Sequence, residues 1–159
     1  MTQGDLLKKE REGRGLSRHG GISTGDMAQQ LGLSETEYLD IEAGKTPAED
    51  WGSRLAQIAI QCEIPTSRLL AESGKAADCK PGQAGELIRR ARERKGKSTA
   101  DMAQAMGISE AEYLDVEAGK SPIEKYGPLF LRFAEVIEQP VFNLFYPCGL
   151  PFQELEDYP

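Results

Sequence analysis

The residues that decide the fold are STADMAQAMGISEAEYLDVEAGKSPIEKYG, at positions 98–127, because a closely similar stretch precedes them. Positions 23–52 read STGDMAQQLGLSETEYLDIEAGKTPAEDWG, and a constant offset of 75 relates the two stretches. About two-thirds of the aligned positions are identical, which indicates an internal repeat. A repeat with this period predicts two small units in one chain of 159 residues.

The repeat also predicts how the chain is divided. We expect a first unit at 1–71, a polar linker at 72–81, a second unit at 82–146 and a tail at 147–159 that is rich in proline, aromatic and acidic residues. The first unit carries an insertion, 16–21, that the second unit lacks. The insertion contains the only histidine of the chain, His19, which is interpreted as a solvated side chain with no role.

Helical spacing and capping residues predict five short helices in each unit, and hence an all-α chain. In the second unit Ser109 is a suitable N-cap for the third helix, and Gly119 is suited to end that helix. An apolar stripe predicts a fourth helix from about residue 128 to residue 137, and Pro140 is expected to start a last short turn.

Composition excludes several classes of protein. The chain has 39% hydrophobic residues and no long apolar run, so we expect neither a membrane span nor a secretory signal, and a cytoplasmic location. Cys62, Cys79 and Cys148 have no metal-binding spacing and are expected to be reduced thiols. Without a metal-ligand cluster, a nucleophile–histidine pair or a phosphate-binding glycine loop, the sequence predicts no enzyme and no cofactor.

The repeated stretch resembles the helix-turn-helix of the lambda-repressor/Cro-like (Xre) family. A helix ending in small residues, then Gly-Ile-Ser, then a helix closing with Val-Glu-Ala-Gly-Lys carries the resemblance, in 102–120 and its counterpart 27–45. The resemblance implies two tandem five-helix domains that bind operator DNA as dimers, with the third helix in the major groove. It also implies two structural ion pairs between the first and third helices, Arg11 with Glu42 and Arg92 with Glu117.

Each predicted third helix is acidic where members of that family commonly carry basic or polar side chains. The positions that would face the groove are Glu35, Thr36, Glu37 and Asp40, and Glu110, Ala111, Glu112 and Asp115. Neither helix contains a lysine or arginine, and the net charge of the chain is −7. Since DNA affinity comes largely from neutralising phosphates, the sequence disfavours duplex DNA as the partner. Lys45 and Lys120, just after these helices, are candidate phosphate contacts.

Helical spacing places Leu39 and Leu114 on the outer faces of the third helices, between the acids. Three interpretations stay open: isolated exposed leucines, a face that binds a protein, or two ridges buried against each other in a pseudo-dimer. One acid of each helix, Glu42 or Glu117, is accounted for by an ion pair, and the other three are left without a structural role.

We therefore predict a non-enzymatic regulatory protein that acts through protein–protein contacts. Its partner is expected to be another protein or a second copy of itself, as a pseudo-dimer or homodimer. The predicted contact residues are Glu35, Glu37, Leu39, Asp40, Glu110, Glu112, Leu114 and Asp115. The alternative is a DNA-binding transcriptional regulator of the Xre family.

Overall fold

The structure is a computed structural model that describes residues 2–13 and 21–145, and within these ranges the regular elements are all helical. The α-helices are α1 (Gln3–Arg11), α2 (Thr24–Leu31), α3 (Glu35–Glu42), α4 (Ala48–Cys62), α5 (Thr66–Leu70), α6 (Gln83–Arg94), α7 (Thr99–Met106), α8 (Glu110–Glu117) and α9 (Ile123–Ile137). Two 3-10 turns lie at Ala76–Asp78 and Val141–Leu144. The predicted all-α fold class is confirmed. His19, Cys148 and the predicted tail lie outside the described residues.

Capping side chains and left-handed glycines set the bounds of the two short helices, α2–α3 and α7–α8, in each repeat. In the second repeat the Ser98 hydroxyl accepts a hydrogen bond from the Asp101 amide at 3.0 Å, at the start of α7. Gly107 ends α7 with a φ of 73°, a conformation that glycine adopts at no steric cost. Ser109 then caps α8. The first repeat uses the same pattern around α2 and α3.

Helix α9 begins earlier than the sequence predicts. It starts at Ile123, directly after Pro122, so that Pro128 lies inside the helix instead of at its start. A proline there removes one backbone hydrogen bond. Burial offsets that loss, because Ile123 and Tyr126 in the added first turns belong to the hydrophobic core. The bounds of α9 then match those of α4 at the repeat offset of 75.

The two repeats exchange their C-terminal helices. Helix α4 of the first repeat packs on α7 of the second, and α9 of the second repeat packs on α2 of the first. In the same way α5 packs on α6, and the Val141–Leu144 turn packs on α1. Helices α4 and α9 contact each other and the opening helix of their own repeat. Each group of three starting helices is therefore completed by the end of the other repeat.

The hydrophobic core runs through both repeats without a break. One cluster of buried residues includes side chains from all nine α-helices of the described chain. Phe133 of α9 lines a small internal space together with Leu7, Leu31 and Tyr38 of the first repeat. The segment predicted as a linker also packs on the body, since the Ala76 amide donates to Glu135 Oε2 at 2.9 Å. The repeats thus form a pseudo-dimer whose centre is the α4–α9 pair.

Two glycines let the opening helices lie directly against the ends of the third helices. A Cβ atom at Gly85 of α6 would overlap the carbonyl oxygen of Val116 in α8. Gly4 of α1 has the same relation to the Glu42 carbonyl in α3. These clashes are with backbone, which cannot rotate away as a side chain can.

Replacing Gly85 with alanine is expected to lower the free energy of unfolding by roughly 1–3 kcal/mol, because α6 and α8 would have to separate. Urea unfolding followed by circular dichroism measures the loss. Gly25 in α2 is the matched control, since an added Cβ would have no atom closer than 3.7 Å and the second repeat carries alanine at this place, Ala100. Gly25→Ala should stabilise the chain by about 0.5–1 kcal/mol, and equal effects of the two changes would contradict the packing described.

Candidate interaction site on the third helices

A buried arginine–glutamate pair anchors each third helix to the opening helix of its repeat. Arg92 donates from Nε to Glu117 Oε2 at 2.6 Å and from Nη2 to Oε1 at 3.2 Å. Arg11 and Glu42 form the same two bonds at the same distances. All four side chains are at most 13% exposed, and the hydrogen bond to glutamate raises the pKa of both arginines. The structure thus brings together both of the pairs that the resemblance implies.

The inner face of each third helix is held by a tyrosine and an aliphatic residue. Tyr38 and Ile41 in α3, and Tyr113 and Val116 in α8, are buried. Burial raises the pKa of both tyrosine hydroxyls well above the usual range. This anchoring fixes which face of each helix is left for solvent.

The outer face of each third helix presents a leucine to solvent. Leu39 is 46% exposed and Leu114 is 48% exposed, and they are the only large hydrophobic residues exposed in the described parts of the chain. The interpretation in which the two ridges are buried against each other is therefore wrong. The reason is that the pseudo-dimer is formed by α4 and α9, which leaves α3 and α8 on the outside.

Glu35 and Glu110, the first acids of the third helices, are bonded to the preceding helix. The Thr24 hydroxyl donates to Glu35 Oε2 at 2.5 Å, and the Thr99 hydroxyl donates to Glu110 Oε2 at 2.6 Å. The two bonds join α2 to α3 and α7 to α8, respectively. The spacing within one helix could not reveal this role, because the bonding partner lies on another helix.

Glu37 and Glu112 belong to capping boxes. The Ser34 amide donates to Glu37 Oε1 at 3.2 Å, and the Ser109 amide donates to Glu112 Oε1 at 3.3 Å. Serine followed three positions later by glutamate is the sequence pattern of this motif, so the role was detectable before the structure. Four of the six acids that had no predicted structural role therefore have local partners.

Asp40 and Asp115 are the two remaining acids of these six, and their carboxylates make no hydrogen bond or ion pair within the described ranges. Lys45 and Lys120 lie in the turns that follow α3 and α8, and both are exposed. The site therefore consists of two equivalent faces, each with an exposed leucine, one unpartnered aspartate and two glutamates that also cap or join helices.

The basic residues of α6 are largely neutralised by neighbouring acids. Arg89 pairs with Glu93 at 3.1 Å, and Arg90 pairs with Glu86 at 3.3 Å. Lys95, just after the helix, pairs with Glu63 at 2.7 Å. These residues consequently do not form a strip of unpaired positive charge that would suit phosphates.

Other classes of site find no support in the described residues. No group of three or more histidine, cysteine or acidic side chains there is arranged to hold a metal ion. Within the same ranges, no helix is long and apolar enough to cross a membrane.

Comparison with known proteins found a similarity that lies in the second repeat. Residues 83–137 match a family model described as a helix-turn-helix domain. No curated protein and no solved structure gave a significant match. The matched range covers α6 to α9. Residues 83–137 therefore resemble a helix-turn-helix domain, and the all-helical fold of the described residues agrees with such a domain.

Proposed function

We propose that this protein is a non-enzymatic, cytoplasmic regulator that contacts a protein partner through the outer faces of α3 and α8. One observation carries the proposal: the exposed Leu39 and Leu114 occupy the same place on both third helices. The contact residues would be Glu35, Glu37, Leu39, Asp40, Glu110, Glu112, Leu114 and Asp115.

The composition of each face supports a protein partner. Leu39 lies between Thr36 and Ala43 on an exposed ridge, and carboxylates flank that ridge. An apolar centre with a polar rim is the usual arrangement of a protein interface. A partner with lysine or arginine around an apolar pocket would match this face in both shape and charge.

Charge opposes the usual groove-reading mode of a helix-turn-helix protein. A like-charge approach to phosphate costs about 1 kcal/mol in water and about 4 kcal/mol near a protein surface. Three acids per helix would give penalties comparable with non-specific DNA binding, which is worth about 5–8 kcal/mol. Neither α3 nor α8 has a basic side chain to offset them.

A DNA-binding transcriptional regulator is the second candidate. The match of residues 83–137 to a helix-turn-helix domain favours it, because that fold commonly serves DNA binding. Lys45 and Lys120 would then contact phosphates from the ends of α3 and α8.

Affinity capture from a lysate of the source organism tests the first candidate. With the full chain as bait, the double change Leu39→Arg and Leu114→Arg is expected to remove captured proteins that the unchanged chain retains, because a buried charge without a partner is strongly unfavourable. Ala77→Arg, at an exposed position of the connecting segment, is the control that adds the same charge elsewhere. An unchanged set of captured proteins would count against the proposal.

Titration with duplex DNA at several salt concentrations separates the two candidates. If a protein is the partner, the unchanged chain should show no salt-dependent binding. The double change Asp40→Lys and Asp115→Lys is expected to create weak DNA binding. The logarithm of its association constant should fall with the logarithm of salt concentration, with a slope of about −0.9 for each phosphate that the new lysines neutralise. Tight, steeply salt-dependent binding by the unchanged chain would instead establish the DNA-binding candidate.

A further inference from the structure

A cavity of about 150 Å³ lies between α3 of the first repeat and α9 of the second. The residues that line it include Glu37 and Asp40 of α3 and Tyr126 and Leu129 of α9. The volume is about five times the share of one water molecule in the liquid, which is enough for a small organic group. This cavity exists because the exchange of C-terminal helices places α9 beside the first repeat.

The equivalent place in the other half of the molecule contains an arginine of the chain itself. At the repeat offset of 75, Glu112 corresponds to Glu37, Trp51 to Tyr126, and Arg54 to Leu129. The Arg54 guanidinium lies 4.9 Å from the centre of the Trp51 ring. It also lies 4.0 Å from Glu112 Oε2. An aromatic ring and a glutamate thus flank a guanidinium in that half.

The α3–α9 cavity keeps this environment but has no guanidinium in it. Leu129 replaces the arginine, whereas the aromatic ring and the glutamate are retained as Tyr126 and Glu37. Lys125 is the one cation on the cavity wall, and its Nζ lies 5.3 Å from the centre of the Tyr126 ring. Within the described part of the chain, no cationic side chain is within 4.0 Å of the Glu37 or Asp40 carboxylate.

We propose that the α3–α9 cavity binds the guanidinium group of an arginine from outside the chain. The planar group would stack on Tyr126 and donate hydrogen bonds to Glu37, and Asp40 would add a second carboxylate. Free arginine and an arginine side chain of another protein share this chemistry. The cavity shares Glu37 and Asp40 with the proposed protein-contact face. The inference nevertheless goes beyond the proposed function, because it needs no contact by Leu39 or Leu114.

Nuclear magnetic resonance titration of the full, ¹⁵N-labelled chain tests the proposal. N-acetyl-arginine amide is expected to shift amide resonances of α3 and α9 with a Kd of roughly millimolar strength, as suits one small group. The lysine analogue should bind at least about fivefold more weakly, because it lacks the planar fork of donors. The citrulline analogue, which has a similar shape and no charge, should cause no shifts. If free arginine binds more tightly than the blocked form, the amino acid is the source of the guanidinium. If free arginine binds equally or more weakly, the source is an arginine side chain of another protein.

Three variants make the result specific to this cavity. Leu129→Arg should abolish the shifts, since it places in the cavity the residue that the other half already has. Glu37→Gln should weaken binding at least about fivefold while preserving the fold, because glutamine also serves in a capping box. Glu112→Gln is the matched control in the other half and should leave the binding of the arginine probe unchanged.

Two outcomes would overturn the proposal: no shifts at α3 and α9 with the arginine probe, or shifts that Leu129→Arg leaves unchanged. Leu114→Arg separates this proposal from the proposed function. That variant lies in the second repeat and should bind the probe as the unchanged chain does, whether or not the third helices contact a protein.

Discussion

Replacing Phe133 with alanine is expected to lower the free energy of unfolding of the whole chain by about 3–5 kcal/mol. Phe133 is 1% exposed, and it contributes to the space enclosed by Leu7, Leu31 and Tyr38 of the first repeat. Removing the ring leaves a cavity in a core that both repeats share. The first repeat should therefore lose stability through a change made in the second.

Urea unfolding followed by two signals measures this effect. Fluorescence of Trp51, the single tryptophan, reports on α4, and circular dichroism reports on all helices. Both signals should shift together in Phe133→Ala and remain coincident, as expected for one cooperative unit. Leu114→Ala is the control, because truncation of an exposed leucine should change stability by less than about 0.5 kcal/mol. Separate transitions for the two signals would contradict a shared core.

Glu117→Gln is expected to lower the free energy of unfolding by about 3 kcal/mol, because the largely buried Arg92 would keep its charge and lose the carboxylate that accepts two of its hydrogen bonds. The exposed Glu93 carboxylate, 3.8 Å from Arg92 Nη2, compensates only weakly for that loss. The two side chains are only 10% and 13% exposed, and the Nε to Oε2 distance is 2.6 Å. Glutamine has nearly the same shape, so the loss measures the charge and not the packing. Glu42→Gln should have a similar effect on the Arg11 pair, whose geometry is the same.

Glu86→Gln is the matched control for this prediction. Glu86 pairs with Arg90 at 3.3 Å on the exposed surface of α6, where such a pair contributes about 0.3–0.5 kcal/mol. Equal losses in Glu117→Gln and Glu86→Gln, measured by urea unfolding, would show that the buried pair contributes no more than a surface pair. The double change Arg92→Met and Glu117→Leu should lower the free energy of unfolding by less than Glu117→Gln does, because it leaves no unpaired charge.

The exchange of C-terminal helices fixes the positions of the two third helices. Because α4 and α9 connect both halves through one core, α3 and α8 are held on one folded body without a second chain. A partner that contacts both faces would therefore meet them at a fixed separation. Such preorganisation reduces the entropic cost of a two-point contact.

Much of the local structure was predictable from the sequence. Serine caps, left-handed glycines and helical spacing indicated the bounds of α7 and α8 and the burial of Tyr113 and Val116, because these features depend on residues within a few positions of one another. The start of α9 is the exception, because the apolar stripe predicts a helix from about residue 128 whereas the helix begins at Ile123. Burial of the preceding turn outweighs the hydrogen bond that Pro128 removes.

The roles of the acids were only partly predictable. The capping boxes at Glu37 and Glu112 have a sequence signature, whereas the bonds of Glu35 and Glu110 to Thr24 and Thr99 depend on the angle between two helices. The cavity at Leu129 had no signal in the sequence. Its carboxylates and its aromatic ring come from different repeats and meet only through the exchange.

The sequence by itself determined that the chain is a repeat of short helices with acidic third helices and an outward leucine on each, because period, capping and charge are local properties. Only the tertiary structure decided which repeat completes which core, that Leu39 and Leu114 stay exposed, and that most of the acids have partners. The physical reason is that α4 and α9 carry apolar faces that either repeat could bury. Whether α4 and α9 pack on their own repeat or on the other one depends on the packing of the whole chain, which no short stretch of sequence encodes.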